Sequence, residues 1–294
     1  MFLMLKPASL GLLLLAAGAA WAAPAAPDLP AAAPEKPAPV TLANHRAVYD
    51  LSLASGGGAK AVESARGRIV IDFRGDACRG YTMETRQVTV IESGESGSRT
   101  SDLRNTTFEG GDSRDFRFRT VTVLNGTPSP AVDGSAEAGG DALKVRLKEP
   151  KKDQFTATGP VLFPSAHMRR LVQAARAGET TVAAKVFDGS DDGRKVYDTL
   201  AVIGRRSADA ASAARDDRDG PLRAGPMATI PRWAVTLSYF TQGEGERTPI
   251  YTLAFDLYEN GVSGALKLDY GEFAILGDMT RLDLDKAPDK PCAP

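Results

Sequence analysis

Apolar and polar residues alternate along most of this chain from about residue 41 onward, which is the pattern of half-buried β-strands. The stretch 47–53, Ala-Val-Tyr-Asp-Leu-Ser-Leu, shows the alternation clearly, and the glycines at 56–58 end it. The predicted strands are 47–53, 66–73, 81–91, 116–123, 141–148, 154–162, 182–187, 195–203, 233–241, 250–258, 262–270 and 273–284. About a dozen strands at such spacing predict a mainly β fold, one large antiparallel sheet that curls or closes.

A single amphipathic helix interrupts the strands. Pro164 precedes Ser165, a good N-cap residue, and Gly178 is placed to end the helix. Apolar residues at i, i+3, i+4 and i+7 form one helical face: Met168, Leu171, Val172 and Ala175. We expect this face to pack against the sheet, with the helix either plugging the mouth of the sheet or lying on its outside.

The first 22 residues have the pattern of a cleavable secretory signal peptide. Lys6 is followed by an apolar run from Leu10 to Ala20, and Ala20 and Ala22 supply small residues at positions −3 and −1 of a cleavage site. The alternative is an anchoring helix, but the run is short for spanning a bilayer. We therefore expect export to the periplasm without stable membrane insertion.

Two further segments are predicted to lack a packed structure. Residues 23–40 are almost entirely alanine and proline and predict an extended linker, so that one domain occupies 41–294. Residues 207–223 are rich in alanine, aspartate and arginine, with almost no apolar content. This composition predicts a disordered insertion between two strands. A mobile, functional lid is the alternative.

The near-zero net charge argues against polyanionic partners. The chain has 36 basic and 37 acidic side chains, for a formal net charge of −1. No global field would draw it to nucleic acid or to an anionic membrane surface. Partners are therefore expected to be recognised by shape and local chemistry.

The two cysteines, Cys78 and Cys292, are predicted to form one disulfide. An exported chain meets oxidising conditions, and two cysteines allow a single internal pairing. The pairing would also tie down the tail at 287–292. The alternatives are two unpaired thiols or an intermolecular bridge. Because there is no C-x-x-C motif, thiol redox catalysis is not expected.

The sequence offers little for catalysis. It has two histidines, His45 and His167, and it contains no G-x-S-x-G or H-E-x-x-H motif. His167 falls in the first turn of the predicted helix, where the helix dipole disfavours a protonated imidazole. A surface or capping role is predicted for both histidines. No catalytic residue, metal site or cofactor is predicted.

One segment superficially matches a calcium loop. Residues 188–193, Asp-Gly-Ser-Asp-Asp-Gly, place oxygen side chains at loop positions one, three and five and glycine at position six. The twelfth position is Thr199, where such a loop needs a bidentate glutamate. The segment also lies between two predicted strands, so a turn is predicted instead.

Several features, in order along the chain, carry a family resemblance. They are a first strand (42–51, LANHRAVYDL), a helix (163–167, FPSAH, and 174–178, AARAG), a terminal strand (270–273, YGEF, with Leu276 and 280–282, TRL) and the cysteines Cys78 and Cys292. They resemble the EipB-like cell-envelope integrity proteins, and the resemblance covers about 42–292. The 207–223 insertion departs from the compact pattern of that family.

The resemblance implies a periplasmic protein whose sheet winds into an open spiral barrel around a central cavity, with one accessory helix and a single disulfide. It also implies a role in maintaining the cell envelope under stress, a link to a periplasmic tetratricopeptide-repeat protein, and no enzymatic activity. Two functions remain open. One is a non-enzymatic protein that binds an envelope lipid, glycan or protein partner. The other is a carrier or hydrolase that acts on envelope material inside the cavity. The near-absence of histidines and metal ligands favours the first.

Overall fold

The structure is a computed structural model, which describes residues 38–54, 62–94, 97–207, 218–243 and 247–286. The predicted signal peptide, most of the predicted linker and Cys292 lie outside these ranges.

The described residues form sixteen strands in one sheet. The strands are β1 (His45–Leu53), β2 (Ser64–Asp76), β3 (Gly80–Ser93), β4 (Gly97–Glu109), β5 (Asp115–Leu124), β6 (Thr127–Pro128), β7 (Val132–Gly139), β8 (Ala142–Glu149), β9 (Asp153–Thr158), β10 (Val161–Leu162), β11 (Thr181–Val186), β12 (Tyr197–Ser207), β13 (Arg232–Phe240), β14 (Tyr251–Tyr258), β15 (Ser263–Asp269) and β16 (Ala274–Leu284).

The sheet is one long, curled ribbon that does not close. Its strand order is β10-β11-β12-β13-β14-β15-β16-β1-β2-β3-β4-β5-β7-β8-β9, with β6 paired to β5 outside this path. The pair β10–β11 is parallel, and the other pairs are antiparallel. The edge strands β9 and β10 follow each other in the chain but do not pair. Lys185 Nζ, on β11, donates a hydrogen bond to the carbonyl of Thr158 on β9 across this gap, at 3.3 Å. The predicted mainly β, open antiparallel architecture is confirmed.

The first and last strands meet in the middle of the sheet. β1 pairs with β16 from His45↔Leu284 to Leu53↔Ile275, and on its other side β1 pairs with β2. Alternation along β1 puts Tyr49 in the core, whereas Asp50 faces outward, where its carboxylate accepts a 2.7 Å hydrogen bond from Arg68. One side of the sheet therefore faces the core and the other faces water.

Two of the strands that the sequence does not predict, β4 and β7, carry few large apolar residues. On β4, Asn105 donates to Thr120 of β5 at 2.8 Å. On β7, Gly134 lies so close to Phe118 that a Cβ at this position would be 2.6 Å from the ring. Polar cross-strand bonds and close backbone approach hold these strands in the sheet, and neither produces an alternating apolar pattern.

The helix, α1 (Pro164–Arg176), begins two residues earlier than its predicted N-cap would place it. Phe163 occupies the N-cap position and Pro164 starts the helix, so Ser165 lies inside the first turn. Gly178 ends the helix in the left-handed conformation, with a φ of 75°. Of the predicted packing face, Leu171, Val172 and Ala175 are buried in the main hydrophobic core, and Met168 packs against that core with part of its side chain exposed.

The prediction of disorder for 207–223 is wrong for the part that the structure describes. Ser207 is the last residue of β12, and Gly220–Arg223 form a 3-10 turn in which Leu222 is 3% exposed. The carboxylate of Asp219 accepts hydrogen bonds from the backbone of Ala265 and Met279, at 2.8 and 2.7 Å. One apolar side chain and one well-placed carboxylate hold this segment, and overall composition does not reveal such contacts. Residues 208–217 lie outside the described residues.

Candidate functional site

The curled sheet and α1 enclose a cavity of about 320 Å³. This volume is at the lower end of the roughly 300–1,000 Å³ typical of small-molecule sites. Alternate residues on the strands point into it, and α1 contributes Met168 and Leu171 to its wall. Most of the wall is aliphatic or aromatic, including Ile71, Met83, Phe116, Leu237, Leu253, Phe255 and Leu266. The cavity is suited to an apolar chain.

At one end of the cavity, a buried glutamate caps the helix. Glu109, the last residue of β4, is 2% exposed, and its carboxylate accepts hydrogen bonds from the backbone N–H groups of Ser165 and Ala166, at 2.7 and 2.9 Å. Arg169 lies 3.8 Å from the same carboxylate. Burial raises the pKa of Glu109 despite these contacts. Sequence reasoning missed this residue, because the cap comes from a strand 56 residues earlier in the chain.

The surface or capping role predicted for the two histidines is wrong: both are buried, and no side chain of α1 caps its own N-terminus. His45 and His167 are 7% and 4% exposed, and both line the cavity. Burial lowers the pKa of both imidazoles, that of His167 to about 4, so both are neutral at pH 7. His45 Nδ1 is 2.8 Å from the carbonyl oxygen of Ala43. The helical repeat does give a signal for His167, since it lies four residues before Leu171 and so on the same side of the helix.

In the described part of the chain, His167 Nε2 is buried without a hydrogen-bond partner, and Tyr81 Oη and Arg169 Nη1 are buried near each other without a well-formed hydrogen bond. Tyr81 pairs with Glu109 across β3 and β4, and its ring lies 5.6 Å from the Arg169 guanidinium carbon. His167 and Tyr81 line the cavity. An otherwise apolar site with a few such groups can both hold and orient a ligand.

The buried imidazole of His167 should make stability depend on pH. The unfolded chain takes up this proton near pH 6.5, whereas the folded chain takes it up near pH 4. Above pH 6.5 the imidazole is neutral in both states and does not affect the free energy of unfolding. As the pH falls toward 4, only the unfolded chain takes up the proton, and the free energy of unfolding falls by about 3 kcal/mol. In urea unfolding, we expect the parent protein to lose about 2–3 kcal/mol more than His167→Phe between pH 7 and pH 4. Equal losses in the two proteins would contradict this assignment, since the other titrating groups are common to both.

An aspartate and a group of tyrosines form another polar part of the cavity. Asp188 and Tyr239 line the cavity. Tyr251 stacks on Tyr239 with ring centres 4.4 Å apart, and Tyr197 meets Tyr239 edge-on at 5.9 Å. Asp188 opens the turn predicted at 188–193 and accepts the backbone N–H of Ser190 at 2.9 Å. Within the described ranges, no group of three or more His, Cys, Asp or Glu side chains is placed to hold a metal ion.

The remaining predicted site residues lie away from the cavity or outside the described chain. Cys78 is exposed in the turn between β2 and β3, where the Asp76 carboxylate accepts its backbone N–H at 3.0 Å. Cys292 is outside the described residues, so the Cys78–Cys292 disulfide stays a prediction. Among the described helices, none has the length and apolar character needed to cross a membrane.

An open, β-barrel-like sheet with an internal apolar cavity defines the class of this protein. The chain belongs to the EipB-like family, whose model matches residues 36–286. It is 35% identical to the cell envelope integrity protein EipB of Brucella abortus (strain 2308) over 246 residues, which is 83% of this chain and 85% of that protein. It is also similar to the crystal structure of a β-barrel-like protein of a domain of unknown function from Brucella abortus. The TM-score is 0.76 at 34% sequence identity, covering 84% of this chain and 100% of the other.

Proposed function

We propose that this protein supports the integrity of the cell envelope as a non-catalytic, periplasmic binding protein whose cavity takes the apolar chain of an envelope amphiphile. The observation that carries the proposal is the cavity itself, with its apolar wall and few polar groups. The name of the Brucella relative supports the envelope role, and the signal-peptide pattern supports the compartment. The apolar wall favours a lipid chain over a glycan.

The arrangement of the histidines supports binding rather than hydrolysis. A hydrolase of the serine or cysteine type needs a nucleophile hydrogen-bonded to a base, which a third group orients. In the described part of the chain, His167 Nε2 has no partner and His45 Nδ1 contacts a backbone carbonyl.

A periplasmic tetratricopeptide-repeat protein stays a proposed partner, with the outer surface and rim of the barrel available to it.

Native mass spectrometry of protein isolated gently from the periplasm tests the cavity. We expect a discrete added mass that disappears on extraction with organic solvent. Leu253 lines the cavity, so Leu253→Trp should fill part of it and abolish the added mass while the melting temperature stays within a few degrees of the parent's. Thr252→Trp, at the adjacent and oppositely directed position of β14, is the matched control and should keep the added mass.

The mass-spectrometry results show whether a ligand binds in the cavity. Parent protein that carries no added mass, or added mass that persists in a folded Leu253→Trp variant, would contradict binding in the cavity. Disruption of the gene should lower resistance of the host to detergents that attack the envelope, and the Leu253→Trp variant should fail to restore that resistance.

A further inference from the structure

Asp188 is the charged group of the cavity that lacks a counter-ion. Glu109 has Arg169 beside it, with 3.8 Å between guanidinium nitrogen and carboxylate oxygen. Among the described residues, no lysine or arginine lines the cavity, and none forms an ion pair with Asp188. Burial raises the pKa of Asp188, because its charge is costly there without a cation beside it. An ammonium group next to Asp188 would lower that cost, whereas a second anion would increase it.

The tyrosines around Asp188 add to the same preference. The charge of Asp188 acts on the hydroxyl groups of Tyr197, Tyr239 and Tyr251. Tyrosine ring faces carry negative partial charge and attract cations, most strongly where water is excluded. Tyr239 lines the cavity, and Tyr251 stacks on one face of its ring. A carboxylate beside tyrosine rings is the chemistry that recognises an ammonium group.

We propose that the cavity selects its ligand by head-group charge, taking a single-chain amphiphile with an ammonium head group in preference to an anionic one, and that Asp188 is the selecting residue. The ammonium group lies at the Asp188–Tyr239 end, and the apolar chain runs along Leu237, Leu253 and Phe255. The inference rests on the proposed function, since it requires that the cavity take an apolar chain.

Three probes of equal chain length separate charge from hydrophobicity: decylammonium, decanesulfonate and 1-decanol. The two ions pay similar desolvation costs, so the ratio of their affinities reports the sign of the field in the cavity. Isothermal titration of the mature protein at neutral pH should show decylammonium binding at least about tenfold more tightly than decanesulfonate. Equal affinities, or tighter binding of the sulfonate, overturn the inference and leave the proposed function standing. Failure of all three probes to bind overturns both.

Substitutions in one loop assign the preference to Asp188. Asp188→Asn should bring the affinity ratio of decylammonium to decanesulfonate close to one. Asp192→Asn is the matched control: Asp192 lies in the same turn and accepts the Arg194 backbone N–H at 3.0 Å, as Asp188 accepts that of Ser190, but it is exposed and does not line the cavity. The control should keep the parent ratio. If Asp188→Asn fails to fold, Asp188→Ser keeps a short oxygen acceptor for Ser190. An unchanged ratio in either folded Asp188 variant overturns the role of Asp188.

Discussion

Replacing Leu171 with aspartate should destabilise the protein by more than about 4 kcal/mol, a large fraction of the roughly 5–15 kcal/mol that keeps a typical domain folded. Leu171 is 1% exposed, it belongs to the main hydrophobic core, and it forms part of the cavity wall. The substitution removes a buried aliphatic side chain and adds a carboxylate among apolar neighbours. Both changes weaken the packing of α1 against the inner face of the sheet.

Urea unfolding followed by circular dichroism measures this effect. Gln173→Asp provides the control, since Gln173 lies on the exposed face of the same helix and should lose under about 1 kcal/mol. If Leu171→Asp unfolds at the same urea concentration as the control, α1 does not depend on its apolar face for stability.

Replacing Glu109 with alanine should cost about 3–5 kcal/mol. The carboxylate caps two backbone N–H groups of α1 and is the counter-ion of Arg169, whose side chain is 15% exposed. Its removal leaves two backbone N–H donors without an acceptor and the largely buried guanidinium of Arg169 without its counter-ion. The helix has no acidic residue in its first turn and no side-chain cap of its own, so nothing local replaces Glu109.

An exposed ion pair on a neighbouring part of the sheet is the comparison. Glu137, which is about half exposed, accepts a 2.5 Å hydrogen bond from Arg146, and Glu137→Ala should cost less than about 1 kcal/mol. Equal costs for Glu109→Ala and Glu137→Ala, measured by the same urea unfolding, would show that Glu109 is an ordinary surface acid. A double variant, Glu109→Ala with Arg169→Met, should recover part of the loss because it removes the unpaired guanidinium.

Sequence analysis predicts those features of the fold that depend on residues close together in the chain. Alternation in stretches such as 47–53 identifies strands, because a half-buried strand must place every second side chain in the core. The same rule misses β4, where polar residues on both sides of the strand bond across to their neighbours, as Asn105 does to Thr120. The helix face from Leu171 to Ala175 is likewise local, since it depends on the helical repeat alone.

The site is encoded by contacts between distant segments, and this limits its prediction. Glu109 reaches the helix from β4, and Asp219 reaches the backbone of β16 at Met279. Neither carboxylate differs in local sequence from an exposed one. The burial of His167 is the exception, since its position four residues before Leu171 already places it beside the apolar face of the helix. A family resemblance predicts that a cavity exists, but the residues that line it follow from the fold.

The pairing of β1 with β16 has a consequence for how the chain reaches this fold. Read from β10 through β16 to β1 and on to β9, the sheet is a meander, and the first and last of the described strands fall at its centre rather than at its edges. The β1–β16 pair therefore joins segments that are far apart in the sequence, and such contacts form slowly. This pair cannot form until β16 has been synthesised. A polypeptide with this topology closes the centre of its sheet only after β16 has emerged from the ribosome.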